Sequence, residues 1–226
     1  MSKVSIDSLA LGSINVVSVT VARNLRTWFD SNLNLQEQIH KTYKYGFFYC
    51  HNTWRIRQYL SQQSARTLVH ALIMGHIGYC NSLLFGLSSV HLLKLQRLQN
   101  AAARLISNVP RYGHVTLCSL HWLPVKFHND FKILLFTFKA IYGHAPGYLT
   151  DLIAIKEQLC YPLRSANGLT LKYLSLKPKN TSGDGTFSSA APTLWNSLLL
   201  HIRLVDNSER FKSLLKTHLF QLAFDM

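Results

Sequence analysis

The sequence predicts a mainly α protein with a short N-terminal β-hairpin and a small strand and loop region near 165–190. Three observations carry that expectation. Apolar residues recur at helical spacing over most of the chain after Leu35. Before that point two β-prone pieces meet at Gly12-Ser13. Between 160 and 190 the composition shifts to Gly, Ser, Asn and Thr with only short apolar runs such as Leu169 to Leu171. At 226 residues and 48% hydrophobic content, the chain is long enough to bury a core and too apolar for global disorder.

The elements follow in order. Val4 to Leu11 and Ile14 to Val21 read as the arms of a hairpin, with Asn24-Leu25 after them and Trp28-Phe29-Asp30 closing the segment. Leu35, Ile39, Tyr43 and Phe47 stand four apart, which predicts a helix with Lys41 and Lys44 off its apolar stripe. Ser61-Gln62-Gln63-Ser64 is a helix start, and Leu68, Leu72 and Ile73 gather near Ala65 behind it. Gly75, Gly78 and Gly86 predict a break within 75–88. Ser88 or Ser89 caps the clearest helix, about 89–108. On it Leu95, Leu98, Ala102 and Leu105 share one face, and Lys94, Arg97 and Arg104 share a neighbouring one.

His121-Trp122-Leu123-Pro124 is a stop and a restart, because Pro suits a first helical turn. The helix behind it runs to about Tyr142 on a stripe of Phe127, Phe131, Leu134, Leu135, Phe138 and Ile141, and Gly143 ends it. Pro146 and the run Tyr148 to Ile153 predict a short helix. Two terminal helices follow, Ala190 to Leu198 and Ser208 to Leu222. In the second, Phe211, Leu214, Leu215, His218 and Leu222 are expected to face the core.

Charge is distributed very unevenly. No carboxylate occurs between Glu37 and Asp130, while those 92 positions hold Lys41, Lys44, Arg55, Arg57, Arg66, Lys94, Arg97, Arg104, Arg111, Lys126 and eight of the eleven histidines. The formal net charge is +14. A surface of one sign repels itself unless a polyanion neutralises it, which makes nucleic acid the first partner to consider. Basic membrane-surface proteins share such a charge, so charge alone does not choose between them. Two-metal phosphoryl transfer needs converging carboxylates, and the ten acids here are scattered singly. The Lys94, Arg97 and Arg104 face reads equally as a solvated helix side or as a phosphate-binding row, since the helix carries no acidic partner for it. Trp28, Phe29, Tyr43, Tyr45, Phe47, Phe48, Tyr49, Trp54 and Tyr59 lie among the cations. Base stacking uses that mixture, and so does core packing.

Other chemistries find little support. His114, Cys118 and His121, with Cys50-His51 and Cys80, lack the paired short spacings of a closed zinc site. No metal or other cofactor is expected, and no small-molecule substrate. Ser182-Gly183-Asp184-Gly185 lacks the Lys-Ser/Thr of a phosphate loop and reads as a turn. Asn180-Thr181-Ser182 matches a glycosylation sequon, but no secretory leader accompanies it, so it too reads as a turn. The cysteines at 50, 80, 118 and 160 have no disulfide-framework spacing and are expected as thiols. The most apolar stretch, Phe131 to Tyr142, is too short for a bilayer. The chain is therefore expected inside the cell, in cytoplasm or nucleus, without a membrane partner.

Several strings are more specific than periodicity. Tyr79-Cys80-Asn81-Ser82-Leu83-Leu84-Phe85-Gly86 precedes Leu95-Gln96-Arg97-Leu98-Gln99-Asn100-Ala101-Ala102-Ala103-Arg104-Leu105. Leu120-His121-Trp122-Leu123-Pro124-Val125 and Ala145-Pro146-Gly147-Tyr148-Leu149 follow. Ala190-Ala191-Pro192-Thr193-Leu194-Trp195-Asn196-Ser197-Leu198 and Phe211-Lys212-Ser213-Leu214-Leu215-Lys216-Thr217-His218-Leu219-Phe220 close the series. From about Val19 to the end, the chain resembles the C-terminal part of the reverse transcriptase of non-LTR, LINE-type (jockey-like) retrotransposons.

The resemblance implies three parts. Residues 1–30 would be a remnant of the palm and primer-grip β element, with Val21-Ala22-Arg23-Asn24-Leu25 as the strand and turn of the grip. Residues 31–110 would be a helical thumb-like domain, and 111–226 a C-terminal helical extension with short strands. The family's Tyr/Phe-Ala-Asp-Asp catalytic motif lies upstream of the matching region, so the resemblance implies no polymerase activity for this chain by itself. It implies backbone holding of an RNA–DNA or DNA duplex through Lys41, Lys44, Arg55, Arg57, Lys94, Arg97 and Arg104, and a missing palm and fingers domain as a further partner. The chain departs from the family in having Arg26 where Gly usually follows Arg-Asn-Leu. It also has His76-Ile77-Gly78 for Arg-Leu-Asp, Leu199 for Pro, Gly185 for Arg, and about two residues fewer between His114 and Leu120. Those departures leave a second reading beside the first: a non-functional genomic remnant, or a helical protein-interaction module.

Overall fold

Short β-branched runs at the N-terminus form two hairpins instead of one. The computed structural model describes residues 8–12, 14–110, 113, 117–156, 169–173 and 186–224. Strand β1 (Ser8–Leu11) pairs antiparallel with β2 (Ile14–Val17), Leu11 opposite Ile14, around Gly12 at φ 62°. The arm expected to continue through Val21 stops at Val17, and a second hairpin joins β3 (Val21–Asn24) to β4 (Thr27–Asp30). Apolar β-branched composition marks extended backbone but does not say which stretch pairs with which.

The β3–β4 loop is Leu25-Arg26, at φ 44° and 65°. Two left-handed residues match the twist of the flanking strands in a two-residue hairpin, a place that normally favours Gly or Asn. After β4, Asp30 Oδ1 accepts from the amides of Asn32 (3.1 Å) and Asn34 (3.0 Å), turning the chain into the first long helix.

That helix, α1 (Gln36–Ile56), buries Ile39, Thr42, Gly46, Cys50 and Thr53. Leu35 and Ile39 are core as expected, while Tyr43 and Phe47 are only half-buried, their ring centroids 4.6 Å apart. A strict four-residue step advances about 40° too far each time, so the buried stripe moves back by three-residue steps. Next, Ser61 caps α2 (Gln62–Val69) through an amide–hydroxyl bond from Ser64 of 3.1 Å. A five-residue π-turn over His70–Met74 leads into α3 (Gly75–Gly78). Across the π-turn a four-residue step stays on one face, and Ala65, Val69, Ile73 and Ile77 are all buried. Leu68 and Leu72, expected with Ile73, are only half-buried. The predicted break falls at Tyr79, with Cys80 at φ 52° and a 3-10 turn over Asn81–Leu84.

Helix α4 (Ser89–Ser107) buries Leu95, Leu98, Ala102 and Leu105, as its pattern predicts, and ends on Asn108 at φ 53°. It lies along α1 and runs the same way. Ile39 shares a small cavity with Leu95, Gly46 meets Leu98, and Arg57 reaches Leu105. Two glutamines of α4 then seat the next helix: Gln99 Nε2 donates to Leu123 O (2.9 Å), and Gln96 Oε1 accepts from Val125 N (3.0 Å).

Helix α5 (Val125–Ile141) is buried on two sides. Val125 completes a first core formed with Leu35, Ile39, Val69, Ile73 and Leu98. Leu134 and Phe138 belong to a second core with Leu171, Trp195, Phe211, Leu215 and Leu219. The predicted stripe captures only the second side. Asn129, Asp130 and Thr137, polar by type, are buried on α5 as well.

The second core is completed by α7 (Phe187–Ser197), α8 (Leu200–Arg203) and α9 (Ser208–Phe224), while α6 (Gly147–Thr150) carries no buried residue. The ring of Phe211 stacks on Phe138 with centroids 4.3 Å apart. Strand β5 (Ala154–Ile155) pairs with β6 (Leu171–Lys172), and Asn196 fastens β6 by exchanging two 2.9 Å hydrogen bonds with the main chain of Leu171. On α9 the buried series is Phe211, Leu215 and Leu219, with Leu214 and His218 half-buried. Leu222, expected in the core, is exposed. Arg111, His114, Cys160 and the turns at 180–185 lie outside the described residues.

Candidate nucleic-acid interface

The strained hairpin and helix α1 together form one wall of a cleft. Arg23 pairs across the ladder with Trp28, and its guanidinium carbon lies 5.6 Å from the indole centroid. Lys41 Nζ lies 5.4 Å from the same ring. On α1, Gln38, Lys41, Thr42, Tyr45 and Tyr49 recur at steps of three and four and line the cleft together. Ala71, Leu72, Gly75, His76 and Tyr79 form the opposite wall, and Arg26 stands at the hairpin tip. The volume is about 610 Å³, and none of the lining residues is acidic.

The hairpin is tied both to α1 and to the opposite wall. Trp28 N donates to Gln38 Oε1 (3.0 Å), and the Tyr79 hydroxyl donates to the Leu25 carbonyl. Thr27, between these ties, is buried. Beside the cleft, Glu37 pairs with Lys41 at 3.2 Å, one helical turn away. Both side chains are about one-third exposed, so the pair contributes only about 0.3–0.5 kcal/mol and yields readily to a phosphate.

The seven cations expected from sequence separate into four groups. Lys41 faces the cleft. Lys44 and Arg55 are exposed on the side of α1 opposite its buried stripe, with Phe48 between them. Lys94 and Arg97 are exposed on α4, and Arg104, half-buried, enters an apolar groove between the two helices with Cys50, His51 and Trp54. Burial pushes the Cys50 thiol up to about 11, with the charge of Arg104 pulling it partly back. Arg57 has a different role. Its guanidinium donates to the carbonyls of Leu105 (2.9 Å), Leu60 (2.9 Å) and Ile106 (3.1 Å), closing the C-terminal end of α4 onto α1.

Sequence reasoning left Arg23 and Arg26 out of the cation set. The signal was present in the spacing Lys41, Tyr45, Tyr49, which marks a basic-aromatic face on α1, but the hairpin that completes it is distant in sequence. Among the described residues no three His, Cys, Asp or Glu stand together as a metal site, and no helix is long and apolar enough to cross a membrane. No protein-family model, curated protein or solved structure matches the chain.

Proposed function

We propose that this chain is a C-terminal part of a non-LTR retrotransposon reverse transcriptase, and that it binds nucleic acid by its backbone without catalysing polymerisation. One observation carries the reading: Arg23, Arg26 and Lys41 converge from two elements on an acid-free cleft walled by aromatic rings. Three cations, of which only Lys41 has an acidic partner and that one partly exposed and easily exchanged, suit phosphates. The motif resemblance independently assigns the same hairpin to the primer grip and the following helices to the thumb.

The test is a salt titration of binding to a labelled RNA–DNA hybrid, with size-exclusion chromatography beside it. Contact through the three cleft cations alone gives a log–log slope of about −3, and each further phosphate contact steepens it by about 0.9. Replacing Arg97 and Arg104 together by Ala is expected to lower affinity and leave the fold intact. An affinity that stays flat between low and physiological salt overturns the proposal.

A second reading has its own observation. Val16, Val17 and Val19 are 47%, 66% and 63% exposed on the N-terminal β segment. Val16 and Val17 stand on opposite faces of β2, so apolar side chains are exposed on both, which suits an interaction module, or a relic whose packing partner is gone. That reading predicts association through the β segment and salt-independent behaviour.

A further inference from the structure

We propose that the groove between α1 and α4 binds a small amphipathic monocarboxylate, its acid head on Arg104 and its apolar tail along the two helices. The inference does not depend on the nucleic-acid reading above and is tested separately from it.

The groove follows from residue size. Gly46 brings α1 against Leu98 of α4, and one turn further on the lining includes the small Cys50 and Ala101. Phe47 and Trp54 stand about one turn to either side of Cys50, at helical steps of three and four. Asn108, at φ 53°, ends α4 and turns the chain, so that the Val109 amide donates to the Arg104 carbonyl at 3.0 Å and Val109 joins the lining. What stays open is a space of about 410 Å³. A space of that size takes a small molecule.

The charge inside it is unbalanced. Arg104 is half-buried in this apolar lining, and no acid shares it. Among the described residues its guanidinium has neither an ion pair nor a hydrogen bond, the ion pairs being Lys41–Glu37 and Lys212–Glu209. Arg57, at the same end of the helix pair, is held by three carbonyls; Arg104 is not. The surroundings are dry enough that burial pushes the Cys50 thiol up to about 11, and the charge of Arg104 is felt there. A carboxylate reaching the guanidinium at the edge of such a medium meets a stronger attraction than in bulk water, and a planar fork that holds both its oxygens.

Head and tail are both required. A phosphodiester strand would satisfy the charge and leave the apolar walls wet. A neutral hydrocarbon would cover the walls and leave the cation unpaired. Trp54 is 44% exposed and Phe47 half-buried, so apolar area remains for a tail to cover. An amphipathic acid answers both demands at once.

The experiment is calorimetric titration of the full chain with decanoate below its micelle concentration. The comparison probes are 1-decanol, which lacks the charge, and acetate, which lacks the tail. Decanoate is expected to bind one to one and on the order of tenfold more tightly than either. Arg104→Met brings decanoate down to the affinity of 1-decanol, and Arg104→Lys restores part of the difference. Ala101→Leu fills the space and weakens decanoate and 1-decanol alike. Lys216→Met, at an exposed cation of α9, changes neither. Circular dichroism checks that every variant folds. Equal affinity of the parent chain for decanoate and 1-decanol overturns the inference, and so does a decanoate affinity indifferent to Arg104→Met. A dimer in size exclusion that only Ala101→Leu dissociates gives the groove to a second copy and overturns it as well. None of these outcomes touches hybrid binding by the parent chain, which its own salt titration decides.

Discussion

The hydroxyl of Tyr79 donates to the main-chain carbonyl of Leu25, 54 positions earlier in the chain. Tyr79 follows the last turn of α3, and Leu25 is the first of the two left-handed residues in the β3–β4 loop. The bond therefore holds the loop that presents Arg26 against the helical wall opposite α1. A loop of two non-glycine residues at positive φ is costly by itself, and an anchor of this kind keeps it in place.

Arg26→Gly separates the stability of that loop from its use. Relief of the left-handed conformation, about 1–2 kcal/mol, exceeds the extra unfolded-state freedom of Gly. The variant is expected to gain up to about 1 kcal/mol in urea unfolding and to lose affinity for an RNA–DNA hybrid, with a salt slope shallower by about 0.9. Gain of stability with unchanged binding removes Arg26 from the interface.

Gly46 lets α1 and α4 approach. A Cβ there would lie 2.2 Å from Leu98 Cδ2, and Leu98 is fully buried. Gly46→Ala is expected to destabilise by about 1–3 kcal/mol despite the better helix propensity of Ala. Leu98→Ala in the same chain relieves the clash, so the double variant is less destabilised than the sum of the two singles. Denaturant midpoints of the four proteins in that cycle supply the comparison.

Arg57 and Arg97 carry the same charge and predict opposite phenotypes. Arg57→Met strips three carbonyls of a charged donor and is expected to cost about 3 kcal/mol of stability. Arg57→Lys recovers little, because an ammonium cannot reproduce the fork. Arg97 is exposed on α4, and Arg97→Ala is expected to change stability by less than about 0.5 kcal/mol. Thermal melts of the two variants, run beside their binding isotherms, distinguish a structural cation from a binding one.

Asp130 is 7% exposed, and burial pushes its carboxyl up to about 6 from an ordinary 3.8, with Lys126 pulling it partly back. As pH falls, the folded chain takes up this proton before the unfolded chain does. Its contribution to stability therefore rises as pH drops through 6 and levels off below about 4, a gain of about 3 kcal/mol. His128 opposes it. Burial, aided by the charge of Lys132, holds the imidazole below 6.5, so stability is lost as pH falls through 6.5. Asp130→Asn isolates the first effect. The variant should be more stable than the parent by about 2–3 kcal/mol at pH 7 and nearly equal at pH 4, read from urea unfolding at both values.

Much of this architecture was legible in the residues. The faces of α4, a helix start at 61–64, a break within 75–88 and the restart at Pro124 follow from period and punctuation, which are local. What escaped depends on neighbours. Nothing near Tyr43 and Phe47 shows that α4 approaches at Gly46 and draws the buried stripe toward it. The polar burial of Asn129, Asp130 and Thr137 arises because α5 has protein on two sides, which an apolar stripe on one side does not reveal. At the candidate site, the cations of α1 and α4 were visible as a run without acids. Arg23 and Arg26 were not counted, since only pairing with β4 and the tie from Tyr79 bring them beside Lys41. Arg57 shows the converse: a charge in a basic stretch is free to bind only if no carbonyl has claimed it.

Because a single helix, α5, contributes Val125 to one core and Leu134 and Phe138 to the other, neither cluster can melt and leave its neighbour whole. Losing either side exposes a flank of the helix on which the other side is built. The two halves should therefore share one heat-absorption peak and one denaturant transition, with calorimetric and van't Hoff enthalpies in agreement. A lesion at Phe211 would then be felt as lost hydrogen-exchange protection at Leu98, a core away, because the molecule opens as a whole.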